Sequence, residues 1–470
     1  MHRVFPIFLA LCLIFSLSAC QKQIRPKRDK YYPTQKDYVD ISPYKSPQLR
    51  SRQHAKLAVG VSISGGGSRA YGFAAGVLLG LEEVTNDLGG NFLSEIDYIS
   101  ATSGGGFAAG SFISAYHAHL LSNSQEAFLL GNYYDNFIKP NLLASYALPV
   151  IFGRLNPRTL FHHLDNGDHL ERKIDNLICG RKLRARMGLP LDPIRLGDIF
   201  IPKENELKKV LFPLFVSNAS LVSNIRLFTF APQTLADYKV AGYTHRLKNY
   251  HYAAPMNPYE LPLSVGIKAS GTFPGAVGNS TLPSTYNGEN YLHLFDGGLC
   301  DNVGFRAAID MLKEDKVADT RILLVIDVDM NAYPNTFSKS PNGSFSIPSV
   351  LKTPLSGLVS RRMMRNKEIQ EKCKVFGITP IFLDFTALIE GSTVAPPARI
   401  YVKKERERII QMIKNEEKLS DLDLQILYEL AEGIPTKYTM SARELEFLVT
   451  IGKAVVRQKS ELLLSYLKEK

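Results

Sequence analysis

Three stretches of this chain end an apolar run in residues that could do chemistry. The first, "VSISGGGSRAYG" (Val61–Gly72), sets three glycines and an arginine directly after a strand-like segment. One glycine would serve a turn, whereas three in a row give up backbone order and suit close approach of a ligand to the main chain. A strand feeding glycines and then a helix presents several N–H groups in one direction, a nest for a phosphate or a transient oxyanion. Gly65, Gly66 and Gly67 are the candidate donors, with the charge of Arg69 beside them. The spacing fits neither GxxxxGK[ST] nor GxGxxG. Alone, the stretch indicates an anion site and no more, with a purely structural tight turn as the alternative.

The second stretch, "ISATSGGGFAAG", places Ser103 between a strand and a glycine-rich helix, the setting of a nucleophile elbow. The GxSxG signature here reads Ala101-Thr102-Ser103-Gly104-Gly105, with alanine in the first place. Taken alone, Ser103 reads better as a helix N-cap. The third, "YLHLFDGGLCDNVGF", ends an apolar run in Asp296, with Gly297 and Gly298 to let the turn form. Its plain alternative is a turn aspartate bonding its own backbone.

These residues need rigid elements behind them. "LAVGVSIS", "EIDYISATS" and "RILLVIDVDM" read as buried parallel strands. "AYGFAAGVLLGLEEV" and "GGFAAGSFISAYHAHLL" have helical spacing, and the small residues of the first suit a helix lying close to a sheet. Strands alternating with helices predict an α/β fold. Residues near 132–202 are loop-rich, with Pro140, Pro149, Pro157, Pro190 and Pro193, and read as an insertion or lid. Residues 401–470 read as a charged helical extension closed by an apolar stripe.

The chain opens differently. Arg3 precedes the apolar run "VFPIFLALCLIFSLS", which is of signal-peptide length and short for a membrane span. Ser18 and Ala19 before Cys20 resemble the lipobox of bacterial lipoproteins. That resemblance implies a signal peptide over 1–19, acylation of Cys20 and a polar tether over 20–55. With Gln21 next, the expected location is the outer membrane, facing the periplasm or the surface. An ordinary signal peptide is the alternative. The net charge of +11 is attributable to a solvated surface or to attraction toward anionic lipid. "GLVSRRMMRNKEIQEK" (Gly357–Lys372) carries the same two readings, a solvated helix face or a lipid-docking segment. No nucleic-acid motif is present. Cys179, Cys300 and Cys373 remain after Cys12 and Cys20; with no CxxC pair a structural zinc site is not expected, and with no Ca²⁺-loop pattern no metal is inferred. One disulfide among the three is left open.

Taken in order, the three landmarks resemble the patatin-like phospholipases. G-G-G-x-R falls on Gly65, Gly66, Gly67 and Arg69, with Ala70 where the patatin branch has glycine. The serine elbow falls on Ser103 and D-G-G on Asp296, Gly297 and Gly298, with "LCDNVG" continuing the pattern. The first loop also resembles that of the cytosolic phospholipases. The resemblance implies a three-layer sandwich about a central, mostly parallel sheet over 56–400, followed by the helical extension. It further implies a Ser–Asp dyad, Ser103 as nucleophile and Asp296 as base. Gly65, Gly66, Gly67 and Arg69 would form the oxyanion hole, and Gly104, Gly105, Gly297 and Gly298 would support the turns. The substrate class is phospholipid or lysophospholipid acyl ester, with no cofactor. No histidine follows Asp296, so a Ser…Asp…His order cannot use it; His245, His251 or His293 with an earlier acid is the alternative. A lipoprotein that keeps the fold and binds lipid or a partner without turnover is another.

Overall fold

A computed structural model describes residues 56–146, 166–200, 213–240, 243, 257–274, 279–284, 291–315, 318–328, 362–397, 399–415, 417–434 and 440–468. The predicted signal peptide, the tether with Cys20, His245 and His251 lie outside them.

Eight strands form one sheet: β1 (Leu57–Ile63), β2 (Ile96–Thr102), β3 (Leu214–Leu221), β4 (Leu227–Thr229), β5 (Ser280–Pro283), β6 (Tyr291–Asp296), β7 (Thr320–Asp327) and β8 (Ile378–Asp384). Their order is β5-β6-β3-β2-β1-β7-β8, with β4 paired to β3 off this path. β3, β2, β1, β7 and β8 pair in parallel, β4 and β6 pair antiparallel with β3, and β5 pairs antiparallel with β6. β1 and β3 are buried at every position, which explains their unbroken apolar or small-residue runs. β6 alternates more and lies at the less covered side.

The longer helices are α1 (Gly67–Glu83), α2 (Gly104–Leu121), α3 (Asn166–Leu177), α4 (Leu263–Ser270), α5 (Phe305–Glu314), α6 (Arg362–Val375), α7 (Arg399–Lys414), α8 (Asp421–Glu432), α9 (Ala442–Gln458) and α10 (Ser460–Lys468). They flank the sheet on both faces. A Cβ on Gly60 would meet Leu312 of α5, whereas Ile63, three positions on and so on the opposite face, lies against Gly105 of α2. The α/β expectation of a mostly parallel sheet between helical layers is met. Parts of the 132–202 region form α3 and shorter helices, and 147–165 fall outside the described residues.

One expectation is corrected. The small residues of α1 do not chiefly serve a helix–sheet contact. Gly72, Gly76 and Gly80 share one helix face, and that face meets α9. A Cβ on Gly76 would stand 2.3 Å from the carbonyl oxygen of Val449, and one on Gly452 would stand 2.5 Å from that of Phe73. The two backbones cross in near contact, so α9 completes the packing of the helix that carries the glycine loop. The capping boxes Ser420/Asp423 and Ser441/Glu444 start α8 and α9.

Cys179, Cys300 and Cys373 are free thiols, Cys179 and Cys373 buried. Along α6, Glu368 pairs with Lys372 and with Arg306 of α5, as a solvated, charge-laced face does. Among the described residues no helix is long and apolar enough to cross a membrane.

Candidate active site

Ser103 links β2 to α2 at φ 50° and ψ −121°. A non-glycine residue with this backbone is strained, and such strain persists only where surrounding contacts over-determine it. It is the sharp turn that lifts a side chain off the end of a central strand. The tightness comes from the helix side of the turn. A Cβ on Gly104 would stand 2.1 Å from the carbonyl oxygen of Gly67, and one on Gly105 2.6 Å from that of Ser64. Ala101, where a third glycine is usual, is a fully buried strand residue paired with Ile63 and Ser217. The elbow therefore forms with glycine only on its far side.

Asp296 ends β6 and is 2% exposed. The Ser103 hydroxyl donates a hydrogen bond to its carboxylate, and the N–H of Gly298 donates another at 2.8 Å. Burial without a cationic neighbour pushes its pKa up to about 6, against the smaller opposing pull of these two donors. Gly297 is forced by close approach, since a Cβ there would stand 2.3 Å from the carbonyl oxygen of Asn218. Beyond the turn, the Asp301 carboxylate accepts the N–H groups of Gly304 and Arg306, both at 2.9 Å, and fixes the entry to α5.

The glycine loop arrives beside this pair. A Cβ on Gly65 would stand 3.2 Å from Cβ of Ser103. The Gly65 N–H donates to the carbonyl of Asn302 at 2.7 Å, so it anchors the loop and is not a free donor. Gly66 and Gly67 have φ of 141° and 58°, which glycine adopts at no steric cost, and lead directly into the first turn of α1. N–H groups of a first helical turn have no intrahelical acceptor. Arg69 is 1% exposed; its guanidinium lies 4.9 Å from the centre of the Phe385 ring and donates to the Ala431 carbonyl at 3.4 Å. These contacts tie the start of α1 to the C-terminal helices.

Ser103 and Asp296, 193 positions apart, are thus in hydrogen-bond contact, with Gly65–Gly67 alongside. His293 is not part of the group: its Nδ1 sits 3.0 Å from the Thr281 hydroxyl on the exposed edge, and it precedes Asp296 by three strand positions, about 10 Å. Among the described residues no cluster of His, Cys, Asp and Glu could hold a metal ion. Sequence reasoning missed Asn218, Ser270, Thr272 and Asn302. Asn218 donates to Ser100 and Ala101 at the end of β2. The signal for Ser270 and Thr272 was "ASGTFPG", a Ser-Gly-Thr cluster ending a helix before proline.

Fold and site together define an α/β protein whose mostly parallel sheet lies between helical layers, with a strained strand-to-helix turn at Ser103. The chain belongs to the patatin-like phospholipase family, whose family model matches residues 61–309. Among solved structures it is similar to human GIVD cytosolic phospholipase A2, at 11% identity and a TM-score of 0.44, over 91% of this chain and 66% of that one. The same enzyme with methyl γ-linolenyl fluorophosphonate and terbium chloride gives 13% identity and a TM-score of 0.41, over 91% and 62%. The chain thus spans just under two thirds of the length of these relatives. No curated protein sequence matches it.

Proposed function

We propose that this protein is a lipid acyl hydrolase of the phospholipase A or lysophospholipase type, working through a Ser103–Asp296 dyad. The observation that carries this reading is the Ser103 hydroxyl, on a strained turn, bonded to a buried carboxylate beside a glycine loop. Asp296 takes the Ser103 proton as Oγ attacks the ester carbonyl. N–H groups of Gly66 and Gly67 receive the oxyanion, each such donor lowering the barrier by about 3 kcal/mol. Collapse expels the lipid alcohol, which takes the proton from Asp296, and leaves an acyl-Ser103 ester. Water then attacks that ester with Asp296 again as base, releasing fatty acid and restoring the serine. A carboxylate with a pKa of about 6 is a stronger base than an ordinary one yet still ionised at neutral pH.

The family membership and the first-loop glycines support a lipid ester as substrate. The lipobox-like "LSAC" supports anchoring through acylated Cys20, with the catalytic domain held at an outer-membrane surface. The deciding experiment incubates protein lacking residues 1–20 with phospholipid and lysophospholipid vesicles and measures fatty-acid release. Release that disappears in Ser103→Ala is expected. Equal release by both proteins, or none by either, would refute the dyad.

A further inference from the structure

One three-residue segment touches both members of the pair through their backbones. The hydroxyl of Ser270 accepts the N–H of Ser103 at 2.8 Å, and the carbonyl of Thr272 accepts the N–H of Asp296 at 3.0 Å. Ser270 is the last residue of α4 and is fully buried. The Thr272 hydroxyl donates back to the Ala269 carbonyl at 2.6 Å, which locks the segment onto the helix end. α4 itself is held from the other side by a buried ion pair, Lys268 to Glu171 of α3, at 3.4 Å.

The Ser103 N–H presents a particular problem. It belongs to a turn residue at φ 50°, between the end of β2 and the start of α2, and its acceptor is a side-chain hydroxyl 167 positions away. A buried N–H without an acceptor is destabilising, and the turn would relieve it by rotating toward an ordinary backbone conformation. Rotation about that φ would swing the serine oxygen off the Asp296 carboxylate. From this we infer that Ser270 is a positioning residue: its hydroxyl holds the Ser103 backbone in the strained conformation that aims the nucleophile. The same segment fixes the Asp296 backbone, so one helix end sets the separation of the two groups. This inference rests on Ser103 being the nucleophile, as proposed above.

The test uses the full chain in detergent micelles and its variants Ser270→Ala, Ser270→Thr and Ser270→Cys. Four quantities are measured: kcat and KM for lipid hydrolysis, the labelling rate of Ser103 by an alkyl fluorophosphonate, amide hydrogen exchange at Ser103, and the melting midpoint. Loss of the acceptor in Ser270→Ala is expected to lower kcat and labelling by roughly 5- to 100-fold, with KM within about 2-fold. Exchange at Ser103 should quicken in parallel. Ser270→Thr keeps the hydroxyl and should restore both. Ser270→Cys keeps the shape but offers a weak acceptor, and should fall between; it also serves if the alanine variant fails to fold. The acid limb of the pH profile should stay near 6 throughout, because the Asp296 carboxyl is untouched.

Wild-type kcat and labelling in Ser270→Ala overturn the inference. Equal losses in the alanine and threonine variants at unchanged melting midpoints also overturn it. If the wild-type chain neither hydrolyses lipid nor takes label, the dyad reading falls, while exchange at Ser103 still decides whether Ser270 holds that turn.

Discussion

The two halves of the site sit in unlike parts of the sheet. Ser103 leaves β2, in the parallel centre, and its turn stores strain in the backbone: φ 50° on a residue with a Cβ. Asp296 leaves β6, in the antiparallel part, with an ordinary turn, and its cost is electrostatic: a carboxylate taken out of water with no cation to pair it. In the proposed dyad, one half aims an oxygen and the other raises the basicity of a carboxylate. The comparison teaches that the fold spends stability on each in a different currency, and each can be removed separately.

The largest expected effect is on the geometric half. Ser103→Ala should lower kcat by about 10⁴-fold or more with little change in vesicle binding, measured by fatty-acid release and co-sedimentation. Next comes the electrostatic half. Asp296→Asn should lower kcat by roughly 10²- to 10⁴-fold. It should also stabilise the chain. In the folded protein Asp296 holds its proton up to about pH 6, above its ordinary value of 3.8. The stabilisation it contributes as a neutral acid is therefore complete below about 3.8 and lost as pH rises through about 6. The asparagine variant should be the more stable by up to about 3 kcal/mol at pH 7.5 and by little at pH 4, in denaturant titrations. Activity of the unsubstituted protein should rise with pH through the same region near 6.

Behind both halves stands the α1–α9 crossing. In an exposed helix Gly→Ala stabilises, but Gly76→Ala would drive a methyl into the Val449 backbone and should cost about 1–3 kcal/mol. A urea midpoint that rises instead would show that α9 yields easily. The smallest effect isolates the strain itself. Ser103→Gly should be more stable than Ser103→Ala by about 1 kcal/mol, because glycine occupies positive φ freely. Identical midpoints would mean that the elbow relaxes once the serine is gone.

Much of this was legible beforehand where the signal is local. Strand, turn and helix follow one another within about a dozen residues around Gly65 and Ser103, so apolar runs and glycines announced them. Asp296 was legible as a strand end with two glycines. The Gly65 N–H illustrates the limit: its residue type suggested an oxyanion donor, yet Asn302 occupies it. The charge of Arg69 likewise suggests an oxyanion partner, yet its guanidinium lies over the Phe385 ring and donates to the Ala431 carbonyl, more than 300 positions away.

By itself the sequence determined the element types, the α/β alternation and the three landmarks, because periodicity and glycine placement act over neighbouring residues. Only the tertiary structure decided that α9 fills the face of α1, that Ser270 and Thr272 hold the backbones of Ser103 and Asp296, and that Asp296 loses its water. Those outcomes depend on which distant segments approach within a few ångströms, and side-chain type along one strand of sequence carries no record of that distance.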